Sequence, residues 1–162
     1  LLEAIALLPK RVRRRMSLDI FGSGLDSQPE DYRSRVTELL EDNARTVRLH
    51  GAYEPHEMPN LLAGIDWVLM GSVWWENSPL VIQEAFRSGR PVICPGIGGM
   101  AEKVQDGVGG YHYRVSDPAA LAALIRTLVE DSAKFDRVLD TLPVVAPLQQ
   151  CIDAHLALYA AV

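Results

Sequence analysis

Glu76–Pro95 reads ENSPLVIQEAFRSGRPVICP, and a helix and a strand lie in it back to back. Asn77-Ser78-Pro79 is a helix start: Asn or Ser offers a capping oxygen, and Pro at the first helical position gives up no hydrogen bond. The apolar pattern runs to Ser88, Gly89 stops it, and Pro91 lies just beyond. The PVIC that follows has no polar alternation, as expected of a strand covered on both faces. A helix delivered straight into a doubly buried strand is a unit of an α/β fold with a parallel sheet.

The same alternation extends in both directions. Upstream, Leu1–Leu8 reads as the tail of an amphipathic helix and Ser17–Phe21 as a strand running into the turn GSG. A polar helix, Glu30–Asn43, leads to the strand Thr46–His50, closed by Gly51. A short helix, His56–Ala63, precedes the strand Asp66–Met70. Downstream come a short helix Met100–Gln105, a strand GYHY, and a helix opened by Asp117-Pro118 and running to about Glu130. After TLPVVAP interrupts the pattern, a terminal helix is expected within 147–162. Strands alternating with helices predict a Rossmann-like parallel sheet with helices on both faces, in a single domain over 1–162. Such sheets bind ligands beyond the carboxyl ends of their strands. Those ends are Gly22–Ser27, Gly51–Pro55, Gly71–Ser78, Pro95–Met100 and Arg114–Asp117.

Two glutamates flank the helix start, Glu76 before it and Glu84 inside it. Backbone N–H groups around Ser78–Val81, with the helix dipole behind them, face the ligand edge and make a ready anion site. Glu84 lies five residues past Pro79, roughly 7–8 Å along the axis at 1.5 Å per residue. That is about the reach from a diphosphate to the ribose of the same nucleotide, and a carboxylate accepts from both ribose hydroxyls. Glu76, on the other side of the anion, could accept from hydroxyls on whatever the diphosphate carries. The plain alternative is dipole stabilisation of an acid near a helix N-terminus. It suffices for Glu76 but fits Glu84 poorly, because Leu80, Val81, Ile82, Ala85 and Phe86 surround Glu84 with apolar neighbours.

ENSPLVIQEAFRSGRPVICPGIGGMAEKVQDGVGGYHY, with LDIFGSG, VRLHGAYE and DPAALAALIRTLVED in order around it, closely resembles the family 4 glycosyltransferases. These are retaining enzymes of the GT-B fold that carry a glutamate-x7-glutamate signature. The resemblance covers nearly the whole chain and lies in the family's C-terminal domain, which holds a nucleotide diphosphate sugar. It implies that Glu84 binds the donor ribose and Glu76 the transferred sugar. It implies that the backbone of Asn77, Ser78, Pro79, Leu80 and Val81 holds the distal phosphate. Gly22 and Gly24 would let their loop approach the donor, His50 and Gly51 would lie by the base, and Gly98 and Gly99 near the sugar. The base stays open among UDP-, GDP- and ADP-sugars, and no cofactor or metal is implied.

Many family members have Gly where this chain has Asn77, although Asn is a good cap. The family's basic pair that neutralises the diphosphate, and its acceptor-binding N-terminal domain, have no counterpart here. The chain is therefore expected to be a fragment, catalytically silent alone. Five strands are read where the family has six, the absent one being the inner first strand of a 3-2-1-4-5-6 order. An interrupted sheet is expected, open to distortion, self-association or completion by further residues.

Competing readings remain. A nucleotide-sugar epimerase on the same scaffold would need no acceptor, and a non-catalytic nucleotide-binding module would never turn over. GIGGMA at Gly96–Ala101 matches a dinucleotide fingerprint, but Asp106-Gly107 ends its helix too soon to cross a sheet. His50, His56, His112 and His155 show no metal-ligand spacing, and no G-x-S-x-G elbow marks a hydrolase. A net charge of −5 argues against nucleic acid as the main partner. Cys94 and Cys151 form no CxxC and read as reduced core thiols of a cytoplasmic protein. No apolar run is long enough to span a membrane. The basic run Lys10–Arg15 reads as a solvated connection, with weak contact to an anionic bilayer as the sharper alternative. Trp74 and Trp75 could stack on a sugar or base, or serve as local core. Phe86 and the Leu121, Leu124, Leu128 stripe are core by periodicity.

Overall fold

The computed structural model describes residues 1–160. In chain order it runs α1 (Leu2–Leu7), α2 (Lys10–Arg13), β1 (Leu18–Phe21), α3 (Glu30–Asp42), β2 (Val47–Gly51), a 3-10 turn (Pro55–Glu57), α4 (Met58–Ala63) and β3 (Val68–Leu69). It continues with α5 (Leu80–Arg87), β4 (Val92–Pro95), α6 (Gly98–Lys103), β5 (Gln105–Asp106), β6 (Gly109–Tyr113), α7 (Pro118–Glu130), α8 (Ala133–Leu139) and α9 (Leu148–Ala160). Every strand pairing is parallel, as the helix–strand alternation predicts.

The sheet is interrupted, as expected. β1 and β2 form a two-stranded ribbon, and β3-β4-β6-β5 form a separate four-stranded sheet. One apolar core nevertheless spans the break. Ala4 and Ile5 of α1, Val47 of β2, Ile93 of β4, and Leu121 and Ile125 of α7 are buried together. A second core, on the other face, joins Leu62 of α4 with Ile82, Ala85 and Phe86 of α5, Val92 and Cys94 of β4, and Met100 and Val104. β4 thus sends Ile93 to one core and Val92 and Cys94 to the other, which is why PVIC lacks alternation. Phe86, Leu121 and Leu128 are buried and Leu124 packs at the edge, as their spacing requires.

Several boundaries correct the sequence reading. α5 begins at Leu80, with Pro79 in extended conformation (ψ 121°) as its N-cap residue, and no side chain caps it. Neither Asn77 nor Ser78 therefore plays the capping role expected of it. The backbone clash that Pro imposes on its predecessor keeps Ser78 out of the helix, and Pro79 itself does not turn in. α6 begins two residues earlier than expected, so Gly98 and Gly99 are its first turn rather than a loop. α2 forms within the basic run because Val12 is buried beside α1 and α7. α8 was not anticipated; its anchors, Val138 at full burial and Phe135 against Trp67, are too few to set a visible period. β5 was not anticipated either. The expected terminal helix is α9; residues 161 and 162 lie outside the described residues.

Candidate donor site at the carboxyl edge of the sheet

α5 starts at the carboxyl edge of β3 with its first donors free. Pro79 has no N–H, Ile82 N–H reaches back to the Pro79 carbonyl at 3.3 Å, and among the described residues no protein acceptor reaches the Leu80 or Val81 N–H. Free N–H groups ahead of two turns of aligned peptides carry a partial positive charge aimed outward. Glu84 stands one turn further on, half-buried beside the core residues Ile82, Ala85 and Phe86, and no hydrogen bond among the described residues engages its carboxylate. The helix dipole does not explain such a placement, since Glu84 lies beyond the first turn.

Glu76 sits on the loop leading to α5, held at both ends of its residue. Its Oε1 accepts from Ser72 Oγ at 3.0 Å, and its carbonyl oxygen accepts from Gly99 N–H at 2.6 Å. The sequence reading missed Ser72; a serine four positions before an acid in an irregular loop carries no pattern of its own. Gly98 and Gly99 meet this loop backbone to backbone. A Cβ on Gly98 would stand 3.0 Å from the Glu76 carbonyl oxygen, and one on Gly99 would collide with the Asn77 carbonyl. The structure therefore brings Glu76, Asn77, Gly98 and Gly99 together, next to Ser78, Pro79, Leu80 and Val81.

The other expected residues gather at the ends of β1 and β2. Gly22 N–H donates to the Gly51 carbonyl at 2.6 Å. Gly51 (φ 83°) and Gly24 (φ 93°) take left-handed conformations that only glycine adopts without strain. His50 Nε2 lies 2.6 Å from Asp19 Oδ1, and its ring stacks on Phe21 with centroids 4.6 Å apart. Asp19 escaped the sequence reading, although an acid alternating with apolar residues in LDIF does mark the face turned away from the core. Among the described residues no hydrogen bond joins this group to the Glu76–Val81 group.

The remaining candidates sort readily. Trp74 and Trp75 are 76% and 77% exposed, so they are not local core. His112 is held by the Val104 carbonyl and by Asp106, just upstream of its own strand, and His155 faces the Cys151 carbonyl. No three His, Cys, Asp or Glu side chains converge among the described residues. Cys94 is buried as expected, and burial, with Asp106 second, pushes its thiol up to about 12. Cys151 is exposed, against expectation, because no described residue of α9 is buried. In the basic run Arg11 pairs with Glu130 at 2.9 Å and Arg13 reaches Asn43, leaving Lys10, Arg14 and Arg15 exposed. No described helix is long and apolar enough to cross a membrane. A surface depression of about 530 Å³ lies along α3 between Glu30 and Glu41 and shares no residue with the site. The six-residue α6 agrees with setting aside the dinucleotide fingerprint.

The parallel α/β fold that carries this edge is that of the GT-B glycosyltransferases. Residues 1–131 match the family described as glycosyl transferases group 1, and the chain belongs to that family. It is 31% identical over 134 residues to the D-inositol 3-phosphate glycosyltransferase of Corynebacterium efficiens, covering 81% of this chain and 31% of that protein. It is also 31% identical over 137 residues to the glycogen synthase of Mycobacterium tuberculosis, covering 83% and 32%. The chain thus spans about a third of the length of the curated relatives it matches. Among solved structures it resembles Anabaena HepE in complex with UDP, with a TM-score of 0.76 and 25% identity over 97% of this chain and 44% of that one. The complex of the same protein with UDP-glucose gives 0.74 and 26%, over 88% and 38%.

Proposed function

We propose that this chain is the donor-binding part of a retaining family 4 glycosyltransferase, which moves a sugar from a nucleotide diphosphate donor to an acceptor held elsewhere in the whole protein. The observation that carries the reading is the uncapped start of α5 between Glu76 and Glu84. The distal phosphate sits on the Leu80 and Val81 N–H groups. Glu84 takes the ribose hydroxyls and Glu76 those of the sugar. The ends of β1 and β2, with His50 and Gly51, lie by the base. Free N–H groups and the α5 dipole stabilise the departing diphosphate, the kind of preorganised field that lowers such barriers. Neither glutamate acts as a general acid. Uridine is the favoured base, since the HepE structures at 25–26% identity hold UDP or UDP-glucose. The setting is cytoplasmic, with reduced thiols. The chain alone binds donor without turnover.

Ligand-observed NMR with uridine, guanosine and adenosine diphosphate sugars, plus NAD, tests this. One base class binds, and Glu84→Ala weakens it about 10- to 100-fold, the worth of hydrogen bonds to a charged acceptor. Equal binding by the variant would remove Glu84 from the site. A preference for NAD would return the dinucleotide reading. In the whole protein, turnover that requires an acceptor separates transfer from epimerisation.

A further inference from the structure

We propose that Ser72 and Gly99 are positioning residues for Glu76, a clamp that aims its carboxylate at the donor sugar; the inference rests on the donor reading above and deepens it. Glu76 lies in a loop, where a carboxylate on a flexible side chain would sample many rotamers, so something must select one. Two independent contacts do. On the side chain, Ser72 Oγ donates to Oε1 at 3.0 Å. The same oxygen accepts the Trp74 N–H at 3.3 Å, which fixes the hydroxyl against its own loop. On the backbone, Gly99 N–H donates to the Glu76 carbonyl at 2.6 Å.

That backbone contact needs glycine for a steric reason and not a conformational one. Gly99 is buried and has no positive φ, yet a Cβ there would stand 2.6 Å from the Glu76 carbonyl oxygen and run into the Asn77 carbonyl. Gly98 adds the second half of the fit: its Cβ would stand 3.1 Å from Trp75 Cα and 3.0 Å from the Glu76 carbonyl oxygen. The first turn of α6 is therefore a bare shelf on which the Trp75–Asn77 peptides lie. α6 is fixed from below by Met100 and Val104, both fully buried, so the shelf belongs to the core and the loop inherits its position. Ser72 takes one lone pair of Oε1 and so fixes the carboxylate, while Oε2 accepts no hydrogen bond among the described residues and is open to a sugar hydroxyl.

The test compares UDP-glucose with UDP by titration calorimetry on this chain, alongside hydrogen exchange of the Trp74–Asn77 amides. Ser72→Ala is expected to weaken UDP-glucose roughly three- to tenfold, the worth of one hydrogen bond, while UDP affinity stays the same. Exchange in the loop speeds up, and Ser72→Thr restores both. Gly99→Ala gives the larger loss for UDP-glucose; should it fail to fold, the Ser72 pair still decides. Equal weakening of UDP and UDP-glucose by Ser72→Ala would overturn the proposal, as would unchanged affinity with unchanged exchange. If Glu84→Ala abolishes UDP binding in that last case, the donor reading stands and only the clamp falls. Wild-type chain that binds neither ligand would overturn both.

Discussion

Of the helices that start at the carboxyl edge of the four-stranded sheet, α5 and α7 start differently. α7 is sealed: Asp117 Oδ1 accepts from Ala120 N–H at 2.8 Å, and Pro118 occupies the first turn. α5 is open: Pro79 is at the cap position, and among the described residues no side-chain oxygen caps its N–H groups and no hydrogen bond engages Glu84 one turn on. A helix end closed by a carboxylate has its partial charge answered from within the chain, whereas an open one must be answered by water or a ligand. The sequence contains capping residues beside both ends, Asn77 and Ser78 at one and Asp117 at the other, yet the fold uses only Asp117. On the proposed donor reading, the open start of α5 beside Glu84 is the place for the anion, and the sealed start of α7 is scaffold.

Closing α5 in the manner of α7 is the strongest way to break that comparison. Pro79→Asp would place a carboxylate where the distal phosphate is proposed to sit. Two unit charges about 4 Å apart repel by roughly 4 kcal/mol at an effective dielectric of about 20. UDP-glucose affinity is expected to fall about 100-fold or more, read by calorimetry. The same variant gains a cap worth about 1 kcal/mol, so urea unfolding should show a chain no less stable than wild type. Lost binding with kept stability locates the anion at α5. Unchanged binding would place the phosphate elsewhere along the edge.

Opening α7 is the reciprocal experiment. Asp117 is held below the usual carboxylate range, chiefly by the Ala120 N–H and then by Arg114. A depressed folded value means the stabilisation is present above the unfolded carboxylate value, near 3.9, and is lost as pH falls through the lower folded one. Asp117→Ala should lower the thermal midpoint at pH 7, and the gap to wild type should close as pH drops below about 3.9. Donor affinity at pH 7 should barely change. A gap independent of pH would mean that Asp117 acts by packing and not by charge.

Much of this edge was legible in the sequence, and the parts that were not share a cause. Strand and helix order followed from GSG, HG and the SG-R-P stop, because turn residues act locally. Glu76 and Glu84 were found by their spacing around a helix start. Capping was misread: ENSP and SDP look alike in one dimension, and what separates them is whether the chain approaches the helix so that a side chain can fold back onto it. Gly99 and Ser72 escaped their roles for the same reason. Gly99 is needed because another loop lies against it, and Ser72 matters only through an oxygen four residues away. The break between β1–β2 and β3–β4–β6–β5 was anticipated by counting strands, whereas α8, anchored by little more than Val138 and Phe135, left no period to read.

The least effect is expected at Asn77 and Ser78, the two residues the sequence offers as caps for α5. If Asn77 or Ser78 capped α5, replacing it with Ala would cost about 1 kcal/mol. Neither side chain caps it, and both residues are exposed, so Asn77→Ala and Ser78→Ala should change the free energy of unfolding by less than about 0.5 kcal/mol. Asn77→Gly would add only the backbone freedom of glycine, and at an exposed, non-helical position that too stays small. A loss of a full cap's worth in Ser78→Ala would show that α5 is sealed in solution after all. The contrast with α7 would then vanish, and with it the main structural argument for an anion at Leu80 and Val81.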